Sequence, residues 1–107
     1  MRIEVEGRIG KDPKQIKEGV VVFSIARSES YKHKETGEWI NKPAVWFDVF
    51  VRSKQYIKLI ETLEIKKGSK VIVSGEFDIQ EGTEKYPQPK MVIQIVFKSD
   101  AITLLEI

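Results

Sequence analysis

The sequence predicts a small, mainly β protein: a five-stranded Greek-key barrel with one helix between its third and fourth strands. Two observations carry this. Three segments of strand character come first, then one of helical spacing, then two more strand segments. Runs rich in Gly, Pro and polar residues separate them, where turns are expected. At 107 residues the chain has room for one domain, over 1–107, and one core. Closing the sheet into a barrel also removes most of the exposed edges that an all-β chain has to manage.

Residues 2–9 (Arg-Ile-Glu-Val-Glu-Gly-Arg-Ile) alternate apolar and polar, as a half-buried strand does. Gly10-Lys11-Asp12-Pro13 is expected to break that strand, since proline lacks a ladder donor and glycine tolerates positive φ. Val20 to Phe23, followed by Ile25, is apolar on both faces. Such a strand needs cover on both sides, from its own core and a partner subunit or from a helix. Residues 31–43 are polar, contain Gly37 and Pro43, and read as a long hairpin loop.

The third strand, Val45 to Arg52, has two unlike faces. Val45, Phe47, Val49 and Val51 form its core side, while Trp46, Asp48, Phe50 and Arg52 mix large aromatics with charges that a buried surface would exclude. Ser53 is placed to cap a helix by accepting a bond from an amide two or three residues on. The segment 54–64 sets Tyr56, Ile57, Ile60 and Leu63 on one side at helical spacing. Lys66 and Lys67 suit the negative end of that helix, and Gly68 suits a left-handed stop. Residues 70–80 form the fourth strand and 81–89 a turn. The fifth strand runs from Met91 to Phe97, with Met91, Ile93, Ile95 and Phe97 on one face. A last apolar stretch, Ala101 to Ile107, ends the chain. Strand order and helix position together are those of the oligonucleotide-binding (OB) barrel.

The composition removes most catalytic options. There is no cysteine for a disulfide or thiolate metal site, and one histidine, His33, cannot form a histidine cluster. Glu29, Glu35 and Glu38 form no convincing carboxylate pair, so no enzyme activity, cofactor or metal is expected. No stretch approaches the ~20 apolar residues that cross a bilayer, and the opening residues do not resemble a secretory signal. A reducing cytosol fits the lack of cysteine. Net charge is only +2, yet residues 31–58 hold Lys32, Lys34, Lys42, Arg52, Lys54 and Lys58 against Glu35, Glu38 and Asp48.

The residues resemble the bacterial single-stranded DNA-binding protein family along nearly the whole chain. Gly7-Arg8-Ile9-Gly10-Lys11-Asp12-Pro13 is similar to that family's G-x-[LI]-G-x-D-P turn, and Phe23 to Ser30 to the end of its second strand. Thr36-Gly37-Glu38 resembles the tip of the following loop, Trp46 the tryptophan opening strand three, and Lys67 to Gly75 the K-G-S-x-V-x-[IV]-x-G block. There are departures. Tyr31 replaces the usual tryptophan, Arg52 a stacking phenylalanine, Asp48 an arginine and Phe47 an interface histidine. The hairpin between strands four and five is about five residues short and keeps no counterpart of the family's aromatic there. The sequence stops at Leu105-Glu106-Ile107, before the disordered linker and acidic tip through which the family recruits replication and repair enzymes. The resemblance implies single-stranded DNA as partner and a homo-oligomer, the tetramer being the family's usual state and a dimer the alternative.

Binding any sequence of single strand needs flat π surfaces for the bases and cations for the phosphates. Tyr31, Trp46, Phe50 and Trp39 are the candidate stacking platforms. Lys32, Lys34, Lys42, Arg52, Lys54, Lys85 and Lys90 are the candidate phosphate contacts, and Tyr86 borders the short hairpin. Each has a plainer alternative. Phe50 equally suits a core or subunit contact, Trp39 a loop pinned to the barrel, and the lysines a solvated face. Phe23 and Phe97 read as core and His33 as an exposed loop residue. The rival functions are a protein-interaction or assembly (primosome-like) module, favoured by Asp48, and an RNA-binding OB domain.

Overall fold

The computed structural model describes residues 1–27, 30–32, 34–41, 44–82, 84–85, 87–96 and 100–106. Its elements are β1 (Arg2–Lys17), β2 (Val20–Arg27), β3 (Ser30–Lys32), β4 (Trp39–Asn41), β5 (Val45–Val51), α1 (Lys54–Thr62), β6 (Lys70–Gln80), β7 (Lys90–Ile95) and β8 (Ala101–Glu106). Five strands close a ring in the order β1-β2-β5-β7-β6 and back to β1. Within the ring β5 and β7 pair in parallel, and the other ring pairings among the described residues are antiparallel. This is the OB barrel, with α1 between its third and fourth ring strands.

The core follows from strand period. On β5, Phe47, Val49 and Val51 are buried, Asp48 and Phe50 half-buried and Trp46 exposed; Val45, expected on the core side, is exposed at the strand's start, and Arg52 is exposed just after its end. Phe23 and Ile25 of β2, Val71 and Val73 of β6, and Ile93 and Ile95 of β7 meet them, and α1 contributes Ile60. Phe47 packs edge-on against Phe77, with ring centroids 6.3 Å apart. The two-sided character of β2 is real. Val20 and Ser24 are buried as well as Val21, Phe23 and Ile25, and Phe50 and Asp48 lie directly opposite Val22 and Ser24.

Four local expectations give way to tertiary contacts. Gly10 to Pro13 does not end β1, which continues to Lys17. The register against β2 shifts between Ile9 and Lys11 and again between Lys11 and Lys14, so Pro13 falls where the ladder asks for no donor. Ser53 occupies the helix N-cap, but its side chain makes no capping bond. The helix ends at Thr62, short of Gly68. Glu64 takes the left-handed conformation (φ 53°), and Ile65 N–H donates to the Ile60 carbonyl at 3.0 Å. Burial of Ile65 draws the chain back in this way, as a Schellman-type end requires. Gly68 (φ 93°) instead turns the chain into β6 and donates to the Ile9 carbonyl at 2.8 Å.

The fourth difference is at the C-terminal side. β7 ends at Ile95, and Ala101–Glu106 forms a further strand against β6 outside the ring. Arg2 and the backbone N–H of Val96 both donate to the fully buried Asp100 carboxylate, which anchors the start of that strand. Phe97, read as core from the sequence, lies outside the described residues, as does His33.

Candidate functional site

The outward face of β5 carries an exposed tryptophan beside charged residues. Trp46 is 52% exposed, large for an indole in the middle of a sheet. Its ring lies across β2 onto β1: a Cβ built on Gly10 would sit 2.2 Å from Cζ3 and 2.5 Å from Cη2. Ala26, directly opposite Trp46 on β2, is small enough to pass beneath. Gly10 is therefore the floor under the indole, which sequence reasoning read only as a strand breaker.

Phe50, half-buried, continues the face between Val22 of β2 and Gln94 of β7. Arg52 is exposed at the end of β5, where its Nε donates to Gln94 Oε1 at 3.2 Å. Lys54 is exposed on the first residue of α1, and Lys90 on the first of β7. Lys34 is exposed in the β3–β4 turn. Lys85 is exposed in the β6–β7 connection, where it has a partner of its own.

Residues 31–43, expected to be one loop, hold a short ribbon instead. β3 and β4 pair with Tyr31 opposite Ile40 and Lys32 opposite Trp39, so the backbone brings these candidates together. Lys42 and Tyr86 lie outside the described residues.

Residues facing each other across antiparallel strands point to the same side of the sheet. Lys11, Lys14 and Lys17 of β1 stand opposite Ser24, Val22 and Val20 of β2. Ser24 and Val22 in turn stand opposite Asp48 and Phe50 of β5. The three lysines, all exposed, therefore form a row along the edge of the aromatic face. Sequence reasoning missed them because a spacing of three does not fit the two-residue period of a strand. The register shifts in β1 convert it into one face.

Between Trp46 and the start of β7 the face sinks into an open groove of about 600 Å³. Trp46 and Gly10 form one wall, Pro89 and Met91 the other, and Ser24 and Asp48 part of the lining; Lys11 and Lys90 border it. Ser24 Oγ donates to Asp48 Oδ1 at 3.1 Å, which fixes the half-buried carboxylate. A second cavity of about 570 Å³ lies beside the first half of β1, lined by Ile3, Val5, Arg27, Phe47 and Ile72. Residues 2–8 of β1 pair with β6, and pairing with β2 begins only at Arg8. Among the described residues, the other edge of residues 3–6 carries no strand.

The sequence matches the profile of the single-strand binding protein family over residues 1–104. It is 26% identical over 93 residues to a mitochondrial single-stranded DNA-binding protein of Xenopus laevis, covering 78% of this chain and 63% of that protein. Among solved structures it is similar to a Plasmodium falciparum SSB in complex with ssDNA, at 25% identity and TM-score 0.78, over 98% of this chain and 94% of the other. A small single-stranded DNA-binding protein of Streptomyces coelicolor shares the fold at 18% identity and TM-score 0.75, over 98% and 92% of the two chains.

Proposed function

Because the chain belongs to the single-strand binding protein family, we propose that it binds single-stranded DNA without regard to sequence, protecting it during replication, recombination or repair. It acts as a binder rather than an enzyme. The observation that carries this is Trp46, its ring edge seated over Gly10 and half exposed on a face that cations flank. An indole there offers a π surface to any base, at about 1–3 kcal/mol per stacked base. Phe50 extends the platform, and Tyr31 and Trp39 on the β3–β4 ribbon supply further stacking. The phosphates run along Lys11, Lys14 and Lys17 on one side and Arg52, Lys54, Lys85 and Lys90 on the other. Lys32, Lys34 and Lys42 are further candidate phosphate contacts. Arg52 also serves as a stacking plane, since a guanidinium is flat.

The open edge of β1 and the cavity beside it support self-association, with a second copy adding its own strand at residues 3–6. Such a dimer, or a tetramer of two dimers, lets one strand of DNA pass over several Trp46 faces. A light-scattering mass of one chain at micromolar concentration would remove this part of the proposal. The chain works where single strands are exposed, in the cytoplasm with the nucleoid.

The test is fluorescence anisotropy with labelled oligo(dT) of about 35 nucleotides, several times the span of one OB barrel. The same-length duplex and oligo(rU) serve as competitors. The expected result is tight binding of the single strand, weak competition by duplex, and affinity falling with salt at a log–log slope near −0.7 per phosphate contact. Preference for the ribose strand would instead indicate an RNA binder. No binding of any strand at low salt would leave the aromatic face to a protein partner.

A further inference from the structure

We infer that the Trp46 groove reads one chemical feature of the stacked base: it favours an amino group over a carbonyl, and so disfavours thymine. This rests on the single-strand reading above and goes beyond it, because that reading treats every base alike.

The groove is more specific than a stacking surface. One wall is the indole, whose far edge lies over Gly10. In the same groove lies Asp48, two residues along the strand from Trp46 and on the same face. Its carboxylate is half-buried and oriented by the Ser24 hydroxyl at 3.1 Å through one oxygen, leaving the other oxygen for a further donor. Lys11 and Lys90 also line the groove. A carboxylate among DNA phosphates is repulsive, so the arrangement makes sense only if the backbone keeps to the lysines and a base edge faces Asp48.

A carboxylate only accepts hydrogen bonds. Cytosine presents its N4 amino donor, and adenine its N6 amino donor, where thymine presents the O4 acceptor beside a methyl group. Against thymine the carboxylate therefore meets an acceptor and loses its solvation without return. Oligo(dC) should accordingly bind about fivefold tighter than oligo(dT), the lower end of the discrimination a well-placed side chain achieves against the wrong base.

Titrations of the whole chain with labelled oligo(dC) and oligo(dT) at neutral pH test this, repeated with Asp48→Asn, whose melting temperature is checked first. An asparagine keeps an acceptor for Ser24 but can also donate, so the dC:dT affinity ratio should collapse toward one, mainly through tighter dT binding. Simple loss of a negative charge would strengthen both oligomers alike and leave the ratio intact, which would overturn the inference. Equal affinity of the unaltered protein for dC and dT would overturn it too, while leaving single-strand binding in place. Failure of both oligomers to bind would remove the single-strand reading and this inference with it.

Discussion

Adding one methyl group at Gly10 should cripple the stacking platform while leaving the barrel intact. In Gly10→Ala the new Cβ would lie 2.2 Å from Cζ3 and 2.5 Å from Cη2 of Trp46, well inside the 3.4 Å at which ordinary contact begins. Cε3, at 3.5 Å, is already clear, so the clash falls on the far edge of the ring. The indole has to lift that edge by more than an ångström or rotate away, and either movement spoils parallel contact with a base. The fold has little reason to suffer. Gly10 does not occupy the left-handed region, and the half-exposed ring has room to move. The entropy an alanine removes from the unfolded chain, about 0.4–1 kcal/mol, works in favour of stability. Single-strand affinity should therefore fall by about 1 kcal/mol, roughly fivefold, a part of the ~1–3 kcal/mol that one stacked base contributes. Anisotropy titrations on Gly10→Ala, Trp46→Ala and the double variant form a thermodynamic cycle, with melting curves as the folding control. Gly10→Ala should cost nothing further in the Trp46→Ala background. Folded Gly10→Ala protein with unchanged affinity would refute the role given to that contact.

The remaining expectations concern charge and packing. Replacing Lys11, Lys14 and Lys17 together by glutamine should flatten the log–log salt slope by up to about 2, at ~0.7 per lost phosphate contact, with no change in melting temperature. Gly75→Ala should destabilise by about 2–3 kcal/mol and lower Tm by roughly 10–20 °C. Its Cβ would lie 2.5 Å from the Gln94 carbonyl oxygen and 2.9 Å from both Ile93 Cγ2 and Ile95 Cδ1. Asp100→Ala leaves Arg2 and the Val96 N–H without their buried acceptor. It should lower the urea midpoint by an amount equivalent to about 1–3 kcal/mol, with an unchanged m-value.

The sequence shows most of the barrel and half of the candidate face. The alternation along Val45 to Arg52 separates core from surface because a β-strand has a period of two, and the burial of Phe47, Val49 and Val51 follows it. What is not legible depends on partners distant in the chain. Gly10 and Pro13 carry strong local signals for a break, but pairing with β2 overrides them through register shifts. The same shifts gather Lys11, Lys14 and Lys17 onto the aromatic side, which no periodicity in the sequence announces. The end of α1 is set by the burial of Ile65, so the Gly68 signal belongs to the next turn. β8 looks like a trailing apolar stretch until its pairing with β6 is known. Trp46 is identifiable as a candidate platform from its charged neighbours, whereas its seat on Gly10 exists only once β1, β2 and β5 are side by side.

The most direct test of stacking on β5 is the protein's own tryptophan emission during titration with unlabelled oligo(dT) at low salt, for the unaltered chain and for Trp46→Ala. Stacking on Trp46 requires strong quenching that falls markedly in Trp46→Ala, where only the Trp39 share remains, with affinity reduced by about 1–3 kcal/mol. Emission that stays constant while the oligonucleotide binds, or quenching that survives loss of Trp46 undiminished, would contradict it.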